Sequence, residues 1–135
     1  MSGSPETVVR QLFERIDSGD VDSALELITT DARFVVPPEA SAEPDTYEGH
    51  EGARRYFDGF EGILDDVHFG LIDLEEVAPG TILAAVRLSG RGAATGIPVA
   101  QETHGVLIVR DGLVSCITIY NEREAALEGI RSGLR

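Results

Sequence analysis

Apolar residues follow two different patterns along the chain. Val8, Val9, Leu12, Phe13 and Ile16 recur three and four apart and make one stripe of a helix. Ser4-Pro5-Glu6 marks its start, with a hydroxyl N-cap, a proline whose φ is already helical, and an acid in the first turn. Gly19 stops this helix, and Asp20 caps a short second one whose buried side is Ala24, Leu25 and Ile28. Phe34-Val35-Val36 reads as a strand, ended by Pro37-Pro38 because proline has no N–H for a ladder. Residues 39–49 are polar, carry Pro44 and predict a surface loop. A third helix is predicted over 51–64, with Tyr56, Phe57, Phe60 and Leu64 as its stripe. It contains Gly52, Gly59 and Gly62. Each costs roughly 0.5–1 kcal/mol relative to alanine, so this helix depends on tertiary packing.

Farther along, the period shortens to that of strands. Runs at 67–77, 82–88, 99–109 and 113–120 are separated by Pro79-Gly80, a glycine-rich connection over 90–96, and the hairpin signal Asp111-Gly112. A last helix is predicted over 123–131, carrying Ala126, Leu127 and Ile130. Helices first and an antiparallel meander afterwards predict an α+β class, with residues 1–135 as one domain. The third long strand is apolar on both parities, with Val106 and Ile108 on one face and Leu107 and Val109 on the other. Both sheet faces are therefore expected to be covered, one by helices and one by a second subunit, as a homodimer.

Composition narrows the partners. The chain has 135 residues, of which 42% are hydrophobic, enough for a real core. No apolar run approaches the roughly 20 residues of a membrane span. The polar first residues hold no apolar leader segment, and the single cysteine, Cys116, excludes an internal disulfide, so a cytoplasmic location is expected. Acids outnumber bases 24 to 11, every base is arginine, and the net charge is −13. That field repels phosphate backbones and anionic bilayers, so neither nucleic acid nor a membrane is an expected partner. The acids are dispersed along the chain, which reads as a solubility surface.

Several local runs resemble a known family: Val8-Val9-Arg10-Gln11-Leu12-Phe13 with Gly19-Asp20, Asp31-Ala32-Arg33-Phe34 leading to Val36-Pro37, Tyr47-Glu48-Gly49-His50-Glu51-Gly52, Arg110-Asp111-Gly112, and Tyr120 before Glu122-Arg123-Glu124-Ala125-Ala126-Leu127. In this order and spacing the chain resembles the SnoaL-like branch of the nuclear-transport-factor-2-like superfamily. The resemblance implies a cone-shaped half-barrel: N-terminal helices packed in a curved, mainly antiparallel sheet that encloses a pocket, with dimers common. It implies no single activity, because this fold hosts isomerases, cyclases, hydrolases and proteins without chemistry.

The ketosteroid isomerase relatives need a carboxylate base near the end of the first strand and two donors at the oxyanion. Ungapped placement puts Val36 at the base position, Leu12 at the helix donor and His104 at the strand donor. Valine takes no proton and leucine donates none, which argues against that isomerase. His104 is the remaining candidate acid or base. Strand parity puts it on one face with Glu102, Val106 and Ile108, and that face is expected to line the pocket, with Thr118 and Tyr120 beside it on the next strand. Glu102, about 7 Å along the strand, would orient the imidazole. The plainer role of His104 is to hydrogen-bond a ligand or a buried tyrosine. Phe13, Phe34, Val36, Tyr47, Tyr56 and Phe60 would wall the apolar part, with Tyr120 and Thr118 meeting the ligand. His50, His68 and His104 lack paired metal-ligand spacing, Cys116 reads as an inert buried thiol, and no cofactor fingerprint is present, so neither metal nor cofactor is expected.

Two functions follow. One is a protein binding a small apolar ligand, or an acid/base isomerase, cyclase or hydrolase of an apolar carbonyl compound with His104 and Glu102 as its catalytic pair. The other is a non-catalytic interaction module whose pocket is filled by side chains. An open cavity of about 300 Å³ or more around His104 would favour the first.

Overall fold

Ser4 starts the first helix in the way the N-terminal signature predicts. In the computed structural model, which describes residues 4–36, 45–58, 60 and 62–132, the Thr7 amide donates to Ser4 Oγ at 3.2 Å and Pro5 takes the first helical position. Helix α1 (Pro5–Asp17) buries Val8, Val9, Leu12 and Ile16. Gly19 follows with φ of 85°, and Asp20 Oδ1 accepts the Ser23 amide at 3.1 Å to cap α2 (Val21–Leu25). Strand β1 (Ile28–Val36) precedes β2 (Asp45–Glu48) and α3 (Gly49–Asp58). The meander is β3 (Leu64–Ala78), β4 (Thr81–Gly92), β5 (Pro98–Arg110) and β6 (Leu113–Tyr120), closed by α4 (Arg123–Arg131).

Several boundaries differ from the sequence expectation, among them the end of β4, which runs on to Gly92 into the expected glycine-rich connection. The third helix ends at Asp58 instead of running to Leu64, which begins β3; Gly62 has φ of 80°, outside helical space. The first strand starts at Ile28, six residues before Phe34, because Ile28 already pairs with Val114 of β6; residues 33–35 have partners on both sides. Residues 45–48 of the expected loop pair antiparallel with β1. Residues 37–44, including Pro37, Pro38 and Pro44, lie outside the described residues.

The six strands form one curved, unclosed sheet in the order β2-β1-β6-β5-β4-β3, with β1–β6 the parallel pair. The inner face carries Phe34, Ile82, Ala84, Val86, Leu107 and Ile117 against the helices α1–α3. Burying each large side chain contributes roughly 1.5–3 kcal/mol. The outer face carries Leu83, Val106 and Tyr120, which pack with Ala126 of α4 in a second, smaller core. Both faces of β5 are thus covered, and on the outer side the cover includes the chain's own last helix. A methyl at Gly129 would overlap the Tyr120 phenol, so glycine lets α4 lie this close.

The long edge strand β3 is protected from α1. Asp17 Oδ1 accepts the Phe69 amide at 2.9 Å and Glu6 accepts the Glu76 amide at 3.2 Å. Two helix carboxylates thereby satisfy edge donors that would otherwise invite another strand. No helix of the described residues is long and apolar enough to cross a membrane.

Candidate functional site

The inner face encloses an apolar cavity of about 60 Å³. Every layer contributes: Phe13 and Ile16 from α1, Phe34 from β1, Tyr56 and Phe57 from α3, Phe69 from β3, Val86 and Leu88 from β4, Thr103 and Gly105 from β5, and Ile117 and Ile119 from β6. The wall is an aromatic chain. Phe34 meets Phe57 edge-on at 6.0 Å and Tyr56 at 5.8 Å, and Phe57 meets Phe69 edge-on at 5.9 Å. Such pairs hold one another at fixed angles. On the far side of Phe57 and Phe69 lies a second apolar space of about 220 Å³, lined also by Phe60, Leu64 and Val67. The two spaces share Ile16, Phe57 and Phe69 as a common wall.

Gly52 explains how α3 reaches this position. A Cβ there would stand 2.8 Å from the Tyr47 carbonyl carbon, so only glycine lets the helix approach β2. His50 anchors the same helix through its Nε2, 2.8 Å from the Ile28 carbonyl oxygen. Tyr47 then packs edge-on to Tyr56 at 5.5 Å, with the Arg55 guanidinium 4.5 Å over its ring. Burial, and secondarily the neighbouring Tyr47, push the Tyr56 phenol up to about 12. It stays protonated at neutral pH. The polar side-chain groups of the wall are this phenol and the Thr103 hydroxyl; no carboxylate, imidazole or thiol lines the cavity.

Of the residues picked from sequence, Phe13, Phe34 and Tyr56 line the cavity, Phe60 lines the adjoining space, and Tyr47 supports the wall. Val36 is buried two residues beyond Phe34, on the same strand face, but is not among the lining residues. The expected orientation of β5 is overturned. Thr103 and Gly105 face the cavity, so His104 and Glu102, with Val106, lie on the opposite, outer face. Thr118 and Tyr120 lie there too, paired with Val106 and His104. The ungapped strand placement was therefore one residue out of phase with the inner wall. His104 is 8% exposed. Its Nε2 stands 3.3 Å from Glu102 Oε2, and among the described residues its buried Nδ1 has no hydrogen-bond partner. The pair is close, as expected, but none of the described cavities is lined by it.

Sequence reasoning missed Ile16, Phe69, Val86, Leu88, Thr103, Gly105, Ile117 and Ile119. The last four share a strand parity that was legible, and only the choice of face was wrong. Among the described residues no three His, Cys, Asp or Glu side chains converge as a metal site requires.

The fold recurs widely among solved structures. An NTF2-like protein from Burkholderia thailandensis superposes with a TM-score of 0.77 at 18% identity, covering 95% of this chain and 98% of that one. TerC, co-crystallised with polyporic acid, gives 0.76 at 16% identity, covering 95% and 99%. A protein of ketosteroid isomerase-like fold from Catenulispora acidiphila, in complex with trimethylamine, gives 0.74 at 16% identity, covering 98% and 96%. These identities speak to fold alone. No curated protein sequence matches the chain. The sequence profile of the SnoaL-like domain matches residues 9–117, most of the length and every element from α1 into β6. With the cone, the sheet order and this profile in agreement, the chain belongs to the SnoaL-like domain family.

Proposed function

We propose that the chain binds a small, neutral, apolar molecule in the inner aromatic cavity, and that it does so without acid/base chemistry by His104. One observation carries this reading: the cavity wall is aromatic and aliphatic, and its polar side-chain groups are a phenol that stays protonated and a threonine hydroxyl. Such a wall desolvates an apolar body and offers a hydrogen bond to one carbonyl or hydroxyl oxygen. It holds no side chain that takes a proton at neutral pH. The inner space of about 60 Å³ equals roughly two water volumes. A larger ligand needs the Phe57 and Phe69 rings to turn and join it to the neighbouring 220 Å³ space, which brings the total near the lower bound of about 300 Å³ for ligand pockets. Two proteins of this fold, one in complex with trimethylamine and one co-crystallised with polyporic acid, support a small-molecule role without naming a ligand here.

The small inner volume favours a second reading, an interaction module with a filled pocket. Titration with benzene, followed by amide NMR shifts, separates the readings. Saturable shifts at Phe57, Phe69 and Thr103 are expected. Gly105→Ala should weaken them by occupying part of the cavity; a Cβ at 105 meets only ordinary contacts, 3.5 Å from Leu107 Cδ1, so the variant should fold. His104→Ala should leave them unchanged. No saturable shift in the parent chain would favour the module. Turnover of a carbonyl substrate that His104→Ala removes would restore the acid/base enzyme.

A further inference from the structure

The outer face of the sheet carries a second depression, about 450 Å³, lined by Asp31, Arg33, Thr81, Ile108, Arg110, Ser115 and Cys116. It lies across the sheet from the aromatic cavity. Its apolar part is Ile108 and the buried Cys116; its polar part is two guanidinium groups, two hydroxyls and the Asp31 carboxylate. Arg110 is paired with Asp31 at 3.3 Å. Arg33 is different. It sits opposite Cys116 in the parallel β1–β6 register, and among the described residues it has no carboxylate partner. Arg10 and Arg87 also lack a carboxylate partner among the described residues, but Arg33 lies in a depression beside a second guanidinium, that of Arg110.

We infer that this depression is a binding site for a small organic monocarboxylate, with Arg33 as the anion receptor and the surface around Ile108 and Cys116 as the seat for its apolar body. The assignment rests on shape and charge together. An arginine fork pairs a carboxylate through two parallel N–H···O bonds. The fork of Arg33 is unused, whereas Asp31 already occupies part of Arg110. The Thr29 hydroxyl and the Arg110 guanidinium hold the Asp31 carboxyl below the ordinary aspartate range, so it is ionised at neutral pH. It therefore keeps Arg110 engaged and leaves Arg33 to take the ligand. The Ser115 hydroxyl gives its one proton to the Ile108 carbonyl at 3.3 Å, so it has none to donate to an anion and recognition falls to the arginines. A dianion gains less, since one free guanidinium and net charge of −13 elsewhere in the chain oppose a second negative charge.

Benzoate tests this, with benzyl alcohol as its neutral counterpart of similar shape. Titrated into the full chain, benzoate should shift the amides of Arg33, Ser115 and Cys116 saturably, and benzyl alcohol should not. Arg33→Gln should weaken benzoate binding by about tenfold or more, the loss expected for one charge-assisted pair, while leaving benzene shifts at Phe57 and Phe69 intact. Arg33→Lys should recover part of the affinity. Benzoate shifts confined to Phe57 and Phe69, equal effects of benzoate and benzyl alcohol at Arg33, or no saturable shift would each overturn the proposal. A sedimentation mass of two chains with Arg33, Ser115 and Cys116 protected from exchange would overturn it as well, because a second copy would then occupy this face.

Discussion

The two faces of the sheet contrast in chemistry. The inner face holds the aromatic cavity, with no group in its wall that titrates near neutrality. The outer face holds the groups that look reactive in the sequence: His104 with Glu102, Thr118, Tyr120 and Cys116, and the arginine-lined depression. The strands that carry both sets are the same, and neighbours such as Thr103 and His104 differ only in which side they face. A reactive residue type is therefore a poor guide to a site unless its face is known. Burial points the same way: Cys116 and His104 are as buried as core residues, which fits groups packed for structure.

The largest expected effect breaks the inner face. Phe34 is 1% exposed and touches both Tyr56 and Phe57. Phe34→Ala should cost about 3–5 kcal/mol in urea or guanidinium unfolding, with loss of benzene binding in whatever folded fraction remains. A cost near that of a surface substitution would show that the aromatic chain is not the centre of the core.

Next comes the Tyr56 phenol. Its folded pKa is raised to about 12 from 10.0, so the native state holds the proton more tightly than the unfolded chain. That stabilisation is fully present below pH 10 and is lost as pH rises toward 12. The integrated loss is of order 2–3 kcal/mol. Tyr56→Phe should remove this component of alkaline destabilisation, and absorbance titration of the parent chain should show a tyrosinate forming near pH 12 that the variant lacks. Ionisation of all three tyrosines together near pH 10 would contradict the buried environment.

Smaller effects sharpen the outer face. Burial raises the Cys116 thiol, outweighing the Thr118 hydroxyl and the Arg33 charge that lower it. Alkylation at neutral pH should be slower than that of a free thiol by about tenfold or more, and denaturant should abolish the protection. Smallest of all, His104→Leu removes an orphaned buried nitrogen together with a 3.3 Å contact to the half-exposed Glu102 carboxylate. Its effect on stability should stay within about 1 kcal/mol, measured by chemical unfolding. A loss of several kcal/mol would mean that His104 organises the outer core.

Local signals were strong where the physics is local. The caps at Ser4 and Asp20 are present as expected, and β6 and α4 have the predicted bounds. The aromatic residues of the site were also legible, because Phe13, Phe34 and Tyr56 lie on apolar stripes. Strand β2 was not, since Asp45-Thr46-Tyr47-Glu48 has no apolar run and owes its conformation to pairing with β1. The parity of β5 was readable, but its direction was not. Residues 102, 104, 106 and 108 share one face whatever the fold. Apolar residues occupy both faces, however, so alternation gave no reason to prefer one side as the interior.

The chain's own sequence determined the helices' starts, the meander, the acidic surface and the family. Tertiary structure decided which side of the sheet encloses the cavity. The helices α1–α3 bury the face of Leu107 and α4 packs on that of Val106. A strand's two-residue period says which side chains stand together; only the elements packed against each side make one of them the inside.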